Sequence, residues 1–207
     1  MTEANLPLAA SPVPVWDIYK ALTEECRHFN ALESTYRTFA SSWLLATFGG
    51  IGFILKETPT AHPMLLVAGV SAAGALGIHL LWLMDIMVYH RLLTAVFAEQ
   101  LLLESRHAWL PQTAHGMMAV QDGAGVLPKV VWFYVAPYTL LVLAASLAIG
   151  QGLPPQCDPI TRVAAGTASF LLLGCGVAWR MRNAGTTVVP PEVRAFHHRR
   201  AGRHQTS

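Results

Sequence analysis

Charged side chains are scarce in the apolar half of this sequence, so those that fall there are the first candidates for chemistry. Asp85 lies near the end of an apolar run, 64–88. A second apolar run, 39–55, precedes it, and the link 56–63 between them contains Pro59 and Pro63. If the two runs form a helical hairpin with its tip near residue 60, residues equidistant from the tip become neighbours. Arg37 and Asp85 are then level and are expected to form an ion pair. At 1.5 Å per residue Asp85 lies roughly 32 Å from Met64, at the edge of a hydrocarbon layer about 30 Å thick. Such a pair can clamp the hairpin in register. It can equally hold an ion or a proton, because an ionisable residue at membrane depth is a functional candidate by default. Glu33 and His90 fall about one turn beyond it, and a histidine beside a carboxylate is a candidate pH sensor. His79 lies deeper, near the level of Ser41 and Ser42. A neutral ring bonded to a hydroxyl or a backbone group is expected there, with a pore-lining role as the alternative.

Other motifs carry less. Glu25-Cys26-Arg27-His28 and Glu104-Ser105-Arg106-His107 are two Glu-x-x-His sequences, the type that builds di-iron sites in helix bundles. The hairpin register offsets them by roughly 13 Å along the axis, so no metal site and no cofactor is expected. Gly49-Gly50-Ile51-Gly52 falls inside an apolar run and cannot be a phosphate loop. The serines and histidines have no triad spacing, which disfavours an enzyme. Cys26, Cys157 and Cys175 form no metal-ligand spacing.

The elements that must position these residues are long helices. The chain is 53% hydrophobic and only 13% charged, against about 25% charged in ordinary soluble domains. Four apolar runs, 39–55, 64–88, 130–150 and 163–179, each reach the length of a span. The expected fold is therefore all-α: a polytopic membrane protein with four transmembrane helices, the first two extended into long cytoplasmic helices. Lys56 and Arg162 are the only Lys or Arg on one predicted side; the other twelve lie on the opposite side. The positive-inside rule then puts both termini in the cytoplasm, in a bacterial cytoplasmic (inner) membrane. Residues 1–14 lack the basic and apolar regions of a signal peptide and are expected to be a loose tail.

In chain order, 15–107 forms the long hairpin. Trp16, Tyr19, Leu22, Cys26, Phe29, Leu32, Tyr36, Phe39 and Trp43 recur at helical steps and predict one buried stripe. Gly69, Ala73 and Gly77 follow at four-residue steps, the spacing that lets helices approach closely in lipid, within one subunit or between subunits. Residues 108–129 form a cytoplasmic connection that lies on the helices or at the headgroups. The hairpin 130–179 follows, with Pro137 as a kink for packing or the wall of a moving gate. Residues 180–207 are basic. Arg180, Arg182, Arg199, Arg200 and Arg203 are expected to meet anionic lipid headgroups. A nucleic-acid partner is disfavoured because no aromatic platform accompanies the basic residues.

Glu24-Glu25-Cys26-Arg27-His28-Phe29-Asn30-Ala31-Leu32-Glu33 runs into Trp43-Leu44-Leu45 as a charged helix entering a two-span hairpin. Over residues 15–107 this resembles the SLATT-type membrane proteins associated with bacterial nucleotide-signalling and defence systems. The resemblance is one of architecture and transfers no binding residue. It implies an oligomeric membrane effector, channel-like in output, triggered through its cytoplasmic helices by a signal or a soluble protein partner. Two other functions fit the same sequence: a non-transporting membrane anchor or assembly subunit, and a small ion- or proton-coupled transporter.

Overall fold

The computed structural model of the protein describes residues 14–57, 62–121, 126–154 and 156–184. Every regular element among them is helical. Helix α1 spans Val15–Glu57. The Pro14 carbonyl accepts its first amides, from Asp17 and Ile18. Asp17 in the first turn and Lys56 in the last complement the helix dipole. Helix α2 runs unbroken over Pro63–Arg106, with Pro63 at a first-turn position where its missing amide costs nothing. Within α2 the segment Leu83–Tyr89 is π-helical. A short helix α3, Thr113–Gln121, leads to α4, Val126–Gly152. Helix α5 covers 159–184, with a second π-helical segment at Leu171–Cys175.

Three of these helices, over Val15–Lys56, Pro63–Arg106 and Lys129–Gly152, are long and apolar enough to cross a membrane. The protein thus has the helices of a multi-pass membrane protein. The fourth apolar run, 163–179, lies within α5.

The core sits between α2 and α4. Ile78, Trp82 and Ile86 interleave with Tyr134, Tyr138 and Leu141; Ala40 of α1 and Met181 of α5 close its two sides. Helix α1 packs antiparallel on the outer flank of α2. Only 11% of its apolar window is buried, against 44% for α4, so most of its apolar surface faces outward.

The expected stripe is at least partly buried at Tyr19, Leu22, Cys26, Phe29, Leu32 and Tyr36, but Trp16 is exposed and the most buried face turns aside beyond Phe29. It follows Tyr19 and Cys26 to Phe29, then passes through Glu33, Arg37, Ala40, Leu44 and Thr47. Phe39 and Trp43 are exposed. The reason is polar pairing. Glu33 and Arg37 have partners on α2 and take the inner face; lipid tails accept Phe39 as readily as a core would, and Trp43, though partly exposed, keeps its indole edge against α2.

Within the subunit the small-residue expectation holds at Gly77 alone. Gly69 and Ala73 lie on the outer surface, and a Cβ at Gly69 would meet nothing. Close approach occurs instead at Gly74, against Thr47, and at Gly77, where a Cβ would collide with the Trp43 ring. The Trp43 indole donates to the Gly74 carbonyl across the same contact, at 3.1 Å.

The connection after α2 folds back onto the hairpin, with Leu110 and Ala114 buried. Its clasp is Glu104, which is 1% exposed. The carboxylate accepts from the amides of Ala114 and His115 at 2.9 and 3.1 Å, from His115 Nδ1 at 2.8 Å and from the Thr113 hydroxyl at 3.2 Å. One side chain of α2 thereby caps the N-terminus of α3. The Tyr19 hydroxyl of α1 joins the same site, 2.7 Å from Thr113 Oγ1. Replacing Glu104 by Gln is expected to loosen the clasp by about 1–3 kcal/mol. Hydrogen exchange should then rise at residues 110–121 and stay unchanged in α4.

Candidate functional site

Where α1 and α2 change from apolar to polar sequence, five side chains from three helices converge. Arg37 Nε donates to Asp85 Oδ2 at 3.1 Å, and Arg37 Nη2 donates to Glu33 Oε2 at 2.6 Å. Glu33 Oε1 lies 3.0 Å from His90 Nδ1. From α4, the Tyr134 hydroxyl donates to Asp85 Oδ2 at 2.9 Å. One guanidinium therefore serves two carboxylates. Asp85 is fully buried and Glu33 is 5% exposed. Below this group Tyr36 and Tyr89 stack, with ring centroids 5.0 Å apart.

Local structure explains the convergence. Glu33 and Arg37 are one turn apart on α1, so their side chains meet on one face. On α2 the π-helical segment contains Asp85 and ends beside His90. The His90 amide bonds the Asp85 carbonyl, five residues back rather than four. The segment thus holds one residue more than an α-helix would need. Asp85 and His90 consequently face α1 together.

Asp85 Oδ1 is buried and has no partner. The same face of α2 carries further occluded polar atoms without partners: Ser71 Oγ, His79 Nδ1 and Trp82 Nε1. A buried carboxylate oxygen with an open valence can accept a proton, a cation or a water. The expected hydroxyl partner of His79 is not what the structure places there. The His79 ring stacks on Trp82, centroids 5.5 Å apart, and lies 6.1 Å from Tyr138. Ser41 Oγ donates to the Arg37 carbonyl instead.

The remaining sequence-derived residues fall elsewhere. Pro137 stands inside α4 and borders a cavity of about 270 Å³ together with Ala40, Leu44, Phe48 and Ile78. Arg180 and Arg182 lie in the last turns of α5. Arg199, Arg200 and Arg203 lie outside the described residues. Of the two Glu-x-x-His sequences, Glu25 and His28 are exposed, and Glu104 is committed to the clasp on α3. Tyr134 escaped sequence reasoning, although a signal existed. A tyrosine hydroxyl inside an apolar span must find a partner, and Tyr134 with Tyr138 occupies one face of α4. No protein-family model, curated protein or solved structure matches this chain.

Proposed function

We propose that the protein is an oligomeric, channel-like effector module of a bacterial inner membrane. On this reading it has four spans, both termini are cytoplasmic, and the lower halves of α1 and α2 receive a signal or a soluble partner. The spans are the output. The observation that carries the proposal is the Glu33–Arg37–Asp85–His90–Tyr134 network. It ties the two receiving helices to α4 at the level where apolar sequence ends. It is also built on a π-helical segment, a register defect that a helix can move or absorb. A shift of that defect would turn the lower half of α2 against its upper half. The skewed distribution of Lys and Arg supports the orientation. The likeness of residues 15–107 to SLATT-type proteins supports the effector role. Basic residues at the end of α5 and beyond it suit anionic headgroups.

The test is the mass of the nanodisc-purified particle, followed by ion flux in liposomes from the same sample. A closed oligomer that leaks ions is the expected result. A monomer or dimer with tight liposomes would overturn it and leave the anchor or assembly-subunit role. One observation favours a second reading, an ion- or proton-coupled carrier: the open valence on Asp85 Oδ1. Asp85→Asn removes that site. In a carrier the substitution abolishes pH-driven uptake; in a channel it alters gating and leaves no gradient dependence to lose.

A further inference from the structure

At the end of the bundle opposite the Arg37 network, α4 and α5 cross backbone to backbone. A Cβ at Gly150 would sit 2.8 Å from the Arg162 carbonyl, and one at Gly166 would sit 2.9 Å from the Ser146 carbonyl. So close a crossing forces the flanking side chains apart. A groove of about 430 Å³ opens on one side, walled by Leu143, Leu147, Val163 and Phe170, with Arg162 and Gln151 at its mouth. A second apolar groove of about 630 Å³ lies along Ile160, Ala164 and Leu171. The two grooves share Val163 and Thr167 as a common ridge.

Arg162 stands in the first turn of α5, where the free helix amides also favour an anion. Its Nη2 donates to the Pro154 carbonyl at 2.8 Å, and its Nε is occluded without a partner. Among the described residues no carboxylate pairs with it, Asp158 included. A half-buried guanidinium without a counter-ion borders the first groove, next in sequence to the Val163 ridge that separates it from the second, and this arrangement matches one kind of molecule. It must carry a single anionic head and two hydrocarbon tails.

We propose that the α4–α5 hairpin binds an anionic diacyl phospholipid. The phosphate lies on Arg162 and one acyl chain fills each groove beside the Val163–Thr167 ridge. Guanidinium is suited to this role because its planar fork meets two phosphate oxygens at once. The site lies about 24 Å along α4 from Tyr134 at 1.5 Å per residue, so it is separate from the Arg37 network.

The test is native mass spectrometry of the purified full chain titrated with dioleoyl phosphatidylglycerol or with dioleoyl phosphatidylcholine. The expected result is one retained phosphatidylglycerol per chain, held at least tenfold more tightly than phosphatidylcholine. Arg162→Gln should lower that retention about tenfold. Because Arg162 also holds the Pro154 carbonyl, Thr167→Trp provides an independent check. Thr167 is exposed, and a tryptophan on this shared ridge obstructs the seat of a lipid that straddles it. It should abolish retention, whereas Leu80→Trp, on the exposed face of α2, should leave it unchanged. Equal retention of the two lipids would overturn the proposal. So would retention undiminished in Thr167→Trp, or lowered equally in Leu80→Trp.

Discussion

Arg37→Met is expected to destabilise the protein by about 3 kcal/mol, because it leaves a buried carboxylate without its counter-ion. The low end of the usual range applies, since the Arg37 side chain is 32% exposed and part of its attraction to Asp85 is screened. The cost arises on the other side of the pair. Asp85 is fully buried, and with Arg37 gone it keeps only the Tyr134 hydroxyl. Glu33 loses its shortest bond and retains His90. For a chain of this size the melting midpoint should fall by roughly 6–12 °C. The companion substitution makes the argument specific. Asp85→Asn removes the charge that Arg37 compensates, so the double variant Arg37→Met/Asp85→Asn should lose less than the two single losses combined. A coupling of about 1–3 kcal/mol is expected for residues in direct contact. Purely additive losses in a detergent melting series would show that the pair is incidental to the fold.

That pair could be located before any coordinates because a hairpin with a short link equates positions on its two arms. The same equivalence brought Glu33 level with His90. It holds to within a few residues as far as the ends of the hairpin, where Cys26 meets Gln100 and Tyr19 meets Glu104. The outward turn of Phe39 and the exposure of Gly69 and Ala73 share one cause. In a membrane, apolar residues are stable on both faces of a helix, so apolar periodicity does not say which face meets protein. Polar residues are the better guide to the inner face, and Glu33, Arg37, Thr47 and Asp85 all lie on it. The Glu104 clasp was hidden for another reason. Two of its donors are backbone amides of α3, and a side-chain motif cannot announce a bond to a backbone group ten residues away. The sequence also gave no warning of the π-helical segment, since Leu83–Tyr89 contains neither Pro nor Gly.

Deleting Val88 should leave the protein folded with the Arg37 network intact, although single-residue deletions inside a buried span are ordinarily disruptive. The reason is the extra residue in the π-helical segment. The His90 amide reaches back five residues to the Asp85 carbonyl. Without Val88 the same bond spans four residues and becomes an ordinary α-helical one. Asp85 and His90 keep their faces, and so do Trp82 above and Gln100 below. Val88 is 41% exposed, so little packing is lost. Deleting Leu92 is the contrast. It is similarly exposed, at 44%, but lies in regular α-helix. Removing it turns everything beyond by about 100°. Leu101, Gln100 and Glu104 leave their buried positions, at a cost of about 2–5 kcal/mol for Leu101 alone. Two measurements separate the deletions. The melting midpoint should hold or rise without Val88 and fall steeply without Leu92. In a Gln100→Cys background a short bifunctional thiol reagent should bridge to Cys26, whose sulfur lies 3.5 Å from Gln100 Oε1. That bridge should survive the loss of Val88 and disappear with the loss of Leu92. The Val88 deletion also bears on function. It removes the slack by which α2 could turn, so under the proposed channel function flux in the liposome experiment should lose its response to a cytoplasmic signal while the particle stays intact. A Val88 deletion as destabilising as the Leu92 deletion would show that the π-helical segment is fixed by its surroundings and holds no spare residue.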